Sequence, residues 1–298
     1  REEHFRHASL FTQVVPFTHE KKTKQKLRIG YISPDIVDHI VLNFAIQLFA
    51  QYDHARYEVV LYSTGKRQNE VSDWVARMVN AYRDLSGLSI SQAARQIYED
   101  QVDILVDLSG HAEGGLTLQI AARKPAPVQI CGIGYFDTTG LSAMDYFLGD
   151  VYCDPSASDR LFSETLIRLP HSHLCFTPSE RFRDISLTYQ VHTPIAFGSF
   201  NNFAKITDEM LAAWLTILQR VPGSRLILKN VSPLPEPLER MRQRARKLGY
   251  EETQLDLRPA TPDYLNDYLD IDIALDTYPY PGGGTTCEAI YMGVPVIN

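Results

Sequence analysis

At 298 residues and 44% hydrophobic composition the chain exceeds what one core usually serves and is too apolar for disorder, so two domains are expected. The net charge of -7, with Lys and Arg scattered rather than striped, gives no electrostatic footprint for a phosphate backbone and argues against nucleic acid. Cys131, Cys153, Cys175 and Cys287 form no C-x-x-C pair, which argues against a zinc or disulfide framework and for a reducing cytoplasm; no apolar run reaches the ~18 to 20 residues of a membrane helix.

Residues 1–26 hold a short helical pattern (Glu3, Phe5, Leu10, Phe11) and then a basic, polar stretch from His19 to Lys26, read as a linker or trailing helix of a preceding region. The chain opens without Met and closes on the strand-like Val294 to Asn298, so a further C-terminal portion is expected. From Leu27 short apolar runs alternate with amphipathic ones. Strands are predicted over 27–33, 57–62, 103–108 and 127–133, with helices over 43–52, 70–82 and 89–100. That alternation predicts βαβ units around a parallel sheet, in a first domain over 27–180. A second series over 195–298 has strands at 195–200, 225–229, 254–257, 271–275 and 294–297, and helices at 208–221, 236–248 and 287–292. Two doubly wound α/β domains in tandem are therefore expected, with ligands at a cleft by the carboxyl ends of the strands. Neither half has a G-x-G-x-x-G or Walker sequence, which lowers the case for a dehydrogenase or classical NTPase.

The segment Asp276 to Glu288, DTYPYPGGGTTCE, follows a buried strand and opens a helix. Glycines admit close backbone approach, and the amides and hydroxyls of a helix N-terminus suit a diphosphate; Glu288, one turn in, is placed to accept hydrogen bonds from a ribose. The same residues also suit an ordinary turn and N-cap, and spacing alone leaves both readings open. Lys205 sits just past the first strand of the second domain, where it would offset charge on a departing diphosphate or simply be solvated. His39 and His111 each follow a first-domain strand, positions that fit either acid-base and phosphate chemistry or a structural role. The loop Gly134 to Gly140 suits a sugar or acceptor contact or plain turn chemistry. Asp270-Ile-Asp272 matches D-x-D but precedes an apolar strand and is read as strand-edge polarity, with no metal; His171 and His173 are read as structural.

These segments together resemble the catalytic region of the SPINDLY and O-GlcNAc transferase family of inverting, GT-B-fold glycosyltransferases. The resemblance runs from Leu27 to Asn298 through Arg28 to Asp35 (RIGYISPD), Asp103 to His111 (DILVDLSGH), Arg123 to Gln129 (RKPAPVQ), Gly198 to Lys205 (GSFNNFAK), Asp272 to Asp276 and Thr285 to Pro295. It implies an N-terminal acceptor-side domain and a C-terminal domain that binds the nucleotide sugar. It implies that Lys205 contacts the diphosphate with Asn202 nearby, that Gly283, Gly284 and Thr285 form the diphosphate loop, that Tyr264 lies beside the nucleoside and that Glu288 holds the ribose. It implies that His39 matches the histidine proposed as base, with His111 on the same side. The implied reaction needs no metal or cofactor: a sugar, first of all GlcNAc from UDP-GlcNAc, moves to a Ser or Thr hydroxyl of a protein recruited by a tetratricopeptide region. GDP-fucose or UDP-glucose as donor, or a non-catalytic binding module, are the alternatives. Around His39 this chain has Ile40, Leu42 and Asn43 where relatives read Pro, Gly and His.

Overall fold

A computed structural model describes residues 1–20, 23–66, 69–112, 116–179, 182, 185 and 191–298. The chain falls into two compact units, Arg1–Thr177 and Pro178–Asn298. The polar stretch expected between them, 177–194, lies partly outside the described residues, as do Lys21 and Lys22 of the basic segment.

The first unit begins with helix α1 (Glu2–Ser9) and then alternates β1 (Leu27–Ser33), α2 (Ile40–Ala50), β2 (Tyr57–Ser63), α3 (Glu70–Ala76), β3 (Ala81–Asp84), α4 (Ile90–Glu99), β4 (Ile104–Asp107), α5 (Leu116–Ala121), β5 (Val128–Gly132), β6 (Tyr146–Asp150) and β7 (Thr165–Leu169). All its strand pairs are parallel, in the order β3-β2-β1-β4-β5-β6-β7. The order turns outward on either side of β1 and β4, the switch point at which doubly wound sheets carry their ligand loops. One face is filled by Ile32, Val60, Tyr62, Ala94, Ile97 and Leu105. The capping box Ser89–Gln92 starts α4, whose Ala93, Ala94 and Ile97 supply its buried stripe.

Two sequence expectations are corrected in this unit. The helix read over 70–82 stops at Ala76, and Ala81–Asp84 is an edge strand paired with β2. Strands β6 and β7 and helix α5 had no counterpart in the periodicity, because β7 is only half-covered and α5 spans less than two turns. Residues of the first twenty pack onto this unit: Phe17 stacks on Tyr98 of α4 at 4.3 Å, and His19 Nε2 bonds the Lys124 carbonyl after α5 at 2.7 Å.

The second unit runs β8 (Ala196–Ser199), α6 (Asp208–Arg220), β9 (Arg225–Lys229), α7 (Pro235–Leu248), β10 (Leu255–Arg258), β11 (Ile273–Leu275), α8 (Gly284–Tyr291) and β12 (Val296–Ile297). Its parallel order is β10-β9-β8-β11-β12, again switching direction beside the first strand. Leu211, Trp214 and Leu218 of α6, three and four residues apart, join Met241 and Ala245 of α7 over Leu226 and Leu228. Thr207 caps α6 and Gly249, at φ 97°, ends α7. Helix α8 starts at Gly284, three residues before the sequence reading had it.

Asp107 at the end of β4 is 1% exposed, and burial pushes its carboxyl up to about 6 against the pull of the Ser109 and Gly110 amides at 2.9 and 3.3 Å. A carboxyl whose folded value is raised favours the fold when protonated. That contribution is complete below the unfolded value near 4 and is lost as pH rises toward 6, about 3 kcal/mol in all. Asp107→Asn keeps an acceptor for both amides and is expected to flatten this decline. Urea unfolding of the two proteins between pH 4 and 7 checks it, and parallel curves would contradict the assignment.

Candidate functional site

In the second unit, β11 delivers Asp276 to the base of the glycine-rich loop, where it is 6% exposed. Its Oδ1 accepts from the amides of Thr277 (2.8 Å) and Gly282 (2.7 Å) and from Nδ2 of Asn201 (3.2 Å). Thr277 donates its hydroxyl to the Tyr280 carbonyl at 2.7 Å, which closes the loop a second time. Gly282 is required by crowding: a Cβ there would stand 2.6 Å from Thr285 Oγ1 and 2.7 Å from Thr286 Oγ1. At Gly283 a Cβ would meet nothing within 4 Å, so that side of the loop is open.

Helix α8 begins here with Gly283 as N-cap and no side-chain cap. Its first-turn amides, from Gly284 to Thr286, lack intrahelical partners, and the end of the helix carries partial positive charge. Beside it, Asn202 Oδ1 accepts from Ala204 N at 3.0 Å and so caps the short 3-10 turn Phe203–Lys205 that presents Lys205. The ammonium lies 3.2 Å from the Pro281 carbonyl, 3.5 Å from Asn201 Oδ1 and 4.5 Å above the Tyr280 ring. Burial lowers the Lys205 pKa from its ordinary value, and the charge of Asp276 works against that. Among the described residues Lys205 makes no ion pair, since Asp276 is taken up by amides. A half-buried cation without a directly bound carboxylate, next to a helix N-terminus, is a site for an anion.

Asn202, expected near the diphosphate, supports the turn that carries Lys205. Asn201 is the residue turned inward, bridging Asp276, Lys205 and the Thr285 hydroxyl (3.1 Å). The doublet was visible in the sequence, but which amide faces the loop depends on the turn. Tyr264 and Glu288 come together: the Tyr264 hydroxyl donates to Glu288 Oε1, and that of Tyr268 reaches Oε2 at 3.3 Å and the Thr285 carbonyl at 3.2 Å. Glu288 is 8% exposed, its carboxylate fixed by two phenols. An adjoining cavity of about 280 Å³ is lined by Asn230, Val231, Thr261, Tyr264, Thr285 and Glu288, among others. Lys229 borders it with its charge paired to Asp267 at 2.5 Å and its remaining protons on the Pro259 carbonyl and Thr261.

In the first unit the loops after β1 and β4 are joined by a Ser33–Ser109 hydroxyl bond of 2.9 Å. His39 is the N-cap of α2; its Nδ1 accepts from Val41 N at 3.3 Å, so the neutral ring carries its proton on Nε2. His111 has the opposite arrangement. Its Nε2 donates to the Thr139 carbonyl at 2.8 Å, which leaves Nδ1 as the lone-pair nitrogen. Burial lowers its pKa, His4 and His7 add to this, and the Thr139 bond opposes it. His4 stacks on His111 at 4.2 Å and meets the Tyr135 hydroxyl at 2.8 Å, so α1 borders this histidine directly. Gly110, at φ 52°, makes room for the Tyr135 ring.

Three other expectations resolve into hydrogen bonding. The hydroxyls of Thr138 and Thr139 in the Gly134–Gly140 loop turn inward to Glu164, so they support the turn. Asp272 accepts from Ala196 N and His192 N at 2.7 and 2.8 Å, while Asp270 pairs with Arg258 at 2.5 Å. Asp150, Cys153 and His173 lie close enough to hold a cation. Their donors are committed to one another: Asp150 accepts from the amides of Tyr152, Cys153 and His173 and from the His173 ring at 2.6 Å. Burial works to raise the Asp150 carboxyl, but these bonds hold it well below the usual range. Burial, with Asp150 beside it, pushes the Cys153 thiol up to about 11.

The sequence profile of glycosyl transferase family 41 matches residues 6–191. A Petunia hybrida protein named "Probable UDP-N-acetylglucosamine--peptide N-acetylglucosaminyltransferase SPINDLY" is 39% identical over 306 residues, covering 99% of this chain and 32% of that protein. The Arabidopsis thaliana protein of the same name is 37% identical over 99% of this chain and 33% of its own length. The chain thus spans about a third of the length of the curated relatives it matches. Among solved structures, a lysine-to-methionine mutant of the Thermobaculum terrenum O-GlcNAc transferase superposes with a TM-score of 0.90 at 33% identity, over 99% of this chain and 57% of that one. A Rickettsia africae glycosyltransferase, at 12% identity and a TM-score of 0.53 over 92% of this chain and 79% of its own, shares the fold alone.

Proposed function

Because the chain belongs to glycosyl transferase family 41 and carries the two doubly wound sheets of the GT-B class, we propose that it transfers a sugar from a nucleoside diphosphate donor to a Ser or Thr hydroxyl of a protein, with inversion. The observation that carries this reading is the Lys205 ammonium, without a carboxylate partner among the described residues, beside the open N-terminus of α8. The nucleoside would occupy the cavity at Tyr264 and Glu288, the diphosphate the turn from Gly283 to Thr285, and Lys205 would face the leaving phosphate. As the bond between the sugar C1 and the diphosphate oxygen breaks, its electron pair leaves with the diphosphate. The growing negative charge meets the ammonium and the α8 amides, which require no reorganisation at that moment. The acceptor oxygen bonds to C1 from the opposite face, and its proton passes to a base.

Of the two first-unit histidines, His111 has the arrangement a base requires, with Nδ1 as its lone-pair nitrogen and burial favouring the neutral ring at pH 7. His39, with Nδ1 accepting from backbone, presents an N–H and suits hydrogen bonding to a substrate oxygen. The proposal includes no metal in the transfer step, because ammonium and helix terminus supply the positive charge, and no cofactor beyond the donor. UDP-GlcNAc is the donor proposed first, as the relatives' names support. The tetratricopeptide region and a cytoplasmic setting belong to the same reading; the four cysteines are free thiols.

Binding comes first among the tests. UDP at saturating concentration is expected to raise the melting temperature by mass action, with GDP ineffective. A shift with GDP alone would replace the uridine donor by a guanosine one. No shift with either, together with no sugar added to peptides by intact-mass measurement, would remove the transferase reading.

A further inference from the structure

The two lysines at the strand ends of the second unit are held differently. Lys229 has a carboxylate partner at 2.5 Å, while Lys205 is held by neutral groups: the Pro281 carbonyl, the Asn201 amide oxygen and the face of Tyr280. Tyr280 is an unusual residue to leave in the open. It is 59% exposed, yet its backbone is fixed on three sides. Its carbonyl accepts the Thr277 hydroxyl, Pro279 precedes it, and Pro281 after it restricts it to extended conformations. A large ring mounted on so constrained a stretch gains little by packing. What it does contact is the ammonium, whose cation is attracted by the ring's negative face.

We propose that Tyr280 is a positioning residue for Lys205: its ring, together with the Pro281 carbonyl, holds the ammonium aimed at the α8 terminus where an anionic ligand binds. The inference rests on the donor-site reading above and adds a residue to it. Without the ring, Lys205 keeps two weak acceptors at 3.2 and 3.5 Å and a flexible four-carbon stem, so it samples positions away from the terminus. The titratable groups that face it are Asp276, whose charge favours the ammonium, and Tyr280 itself. Removing the ring takes away support for the charged form, so the alkaline loss of ligand affinity should move to lower pH.

The test uses the chain with UDP, or GDP should that be the nucleotide bound, and compares Tyr280→Leu, Tyr280→Phe and Lys205→Met by calorimetric titration from pH 7 to 10. Tyr280→Leu is expected to weaken nucleotide binding about three- to fivefold, the size of an exposed cation–π contact, with its alkaline limb at lower pH. Tyr280→Phe keeps the ring and should match the parent in both. If Tyr280→Leu binds like the parent across the range, or Tyr280→Phe falls as far as Tyr280→Leu, the ring does not position the lysine. If Lys205→Met also binds undiminished, the donor-site reading itself fails, a result separate from the other two.

Discussion

Lys205→Met is expected to reduce sugar transfer by about 100- to 1,000-fold, the loss associated with removing one preorganised partner of a developing anion. Methionine fills nearly the same space as the lysine stem, so the half-buried turn Phe203–Lys205 should persist and the melting temperature should change little. The cation matters most when the sugar bond has broken, because the diphosphate then carries more charge than in the bound donor. Turnover should therefore fall further than affinity for the intact sugar nucleotide does. Rates of intact-mass product formation, set against dissociation constants of the intact sugar nucleotide for the same variant, measure that difference. Equal turnover in variant and parent would remove Lys205 from the reaction.

Asp276→Ala should have the largest effect on the fold of the second unit. The carboxylate is the acceptor for two amides and the Asn201 side chain, and its loss leaves these donors without a partner in a buried setting. Each stranded donor costs about 1 to 3 kcal/mol, with partial relief as the loop rehydrates. A net destabilisation of about 3 kcal/mol is expected, which lowers the melting temperature of a unit this size by about 10 °C. Nucleotide binding should be lost with it, since Gly282 and Asn201 set the course of the loop past Lys205 and Thr285. Asp276→Asn separates the two contributions. It keeps an acceptor for the amides but removes the charge that supports the ammonium, so it should retain most stability and still bind nucleotide weakly. An Asp276→Ala protein that melts like the parent would show that the loop is held by other means.

The architecture was readable because buried parallel strands leave continuous apolar runs, as at 59–62 and 226–228, whose residues are all buried. Where coverage is partial the signal fades. Ala81–Asp84 has half-exposed and exposed positions and two charges, and it merged into the helical pattern before it. The site was readable as a list of residues rather than as an arrangement. Glycines, Lys205 and Glu288 lie in one stretch of chemistry because they occur at strand ends, which sequence position reveals. That Asn201 faces the loop while Asn202 supports the turn depends on backbone direction. That His39 and His111 hold opposite tautomers depends on Val41 N and the Thr139 carbonyl, partners 2 and 28 residues away.

The pairing of Lys229 with Asp267 has a consequence for how a ligand is oriented. With its charge cancelled, the cavity at Asn230 and Thr261 offers hydrogen bonds and apolar surface but no uncompensated cation from Lys229. The end toward Lys205 and α8 does the reverse. A molecule with a neutral head and an anionic tail can therefore enter in only one favourable direction, and reversing it would strand the tail beside a lysine already satisfied. Polarity is thus written into the groove itself: one of its two lysines is matched by a carboxylate, and the other, among the described residues, is held by neutral groups alone.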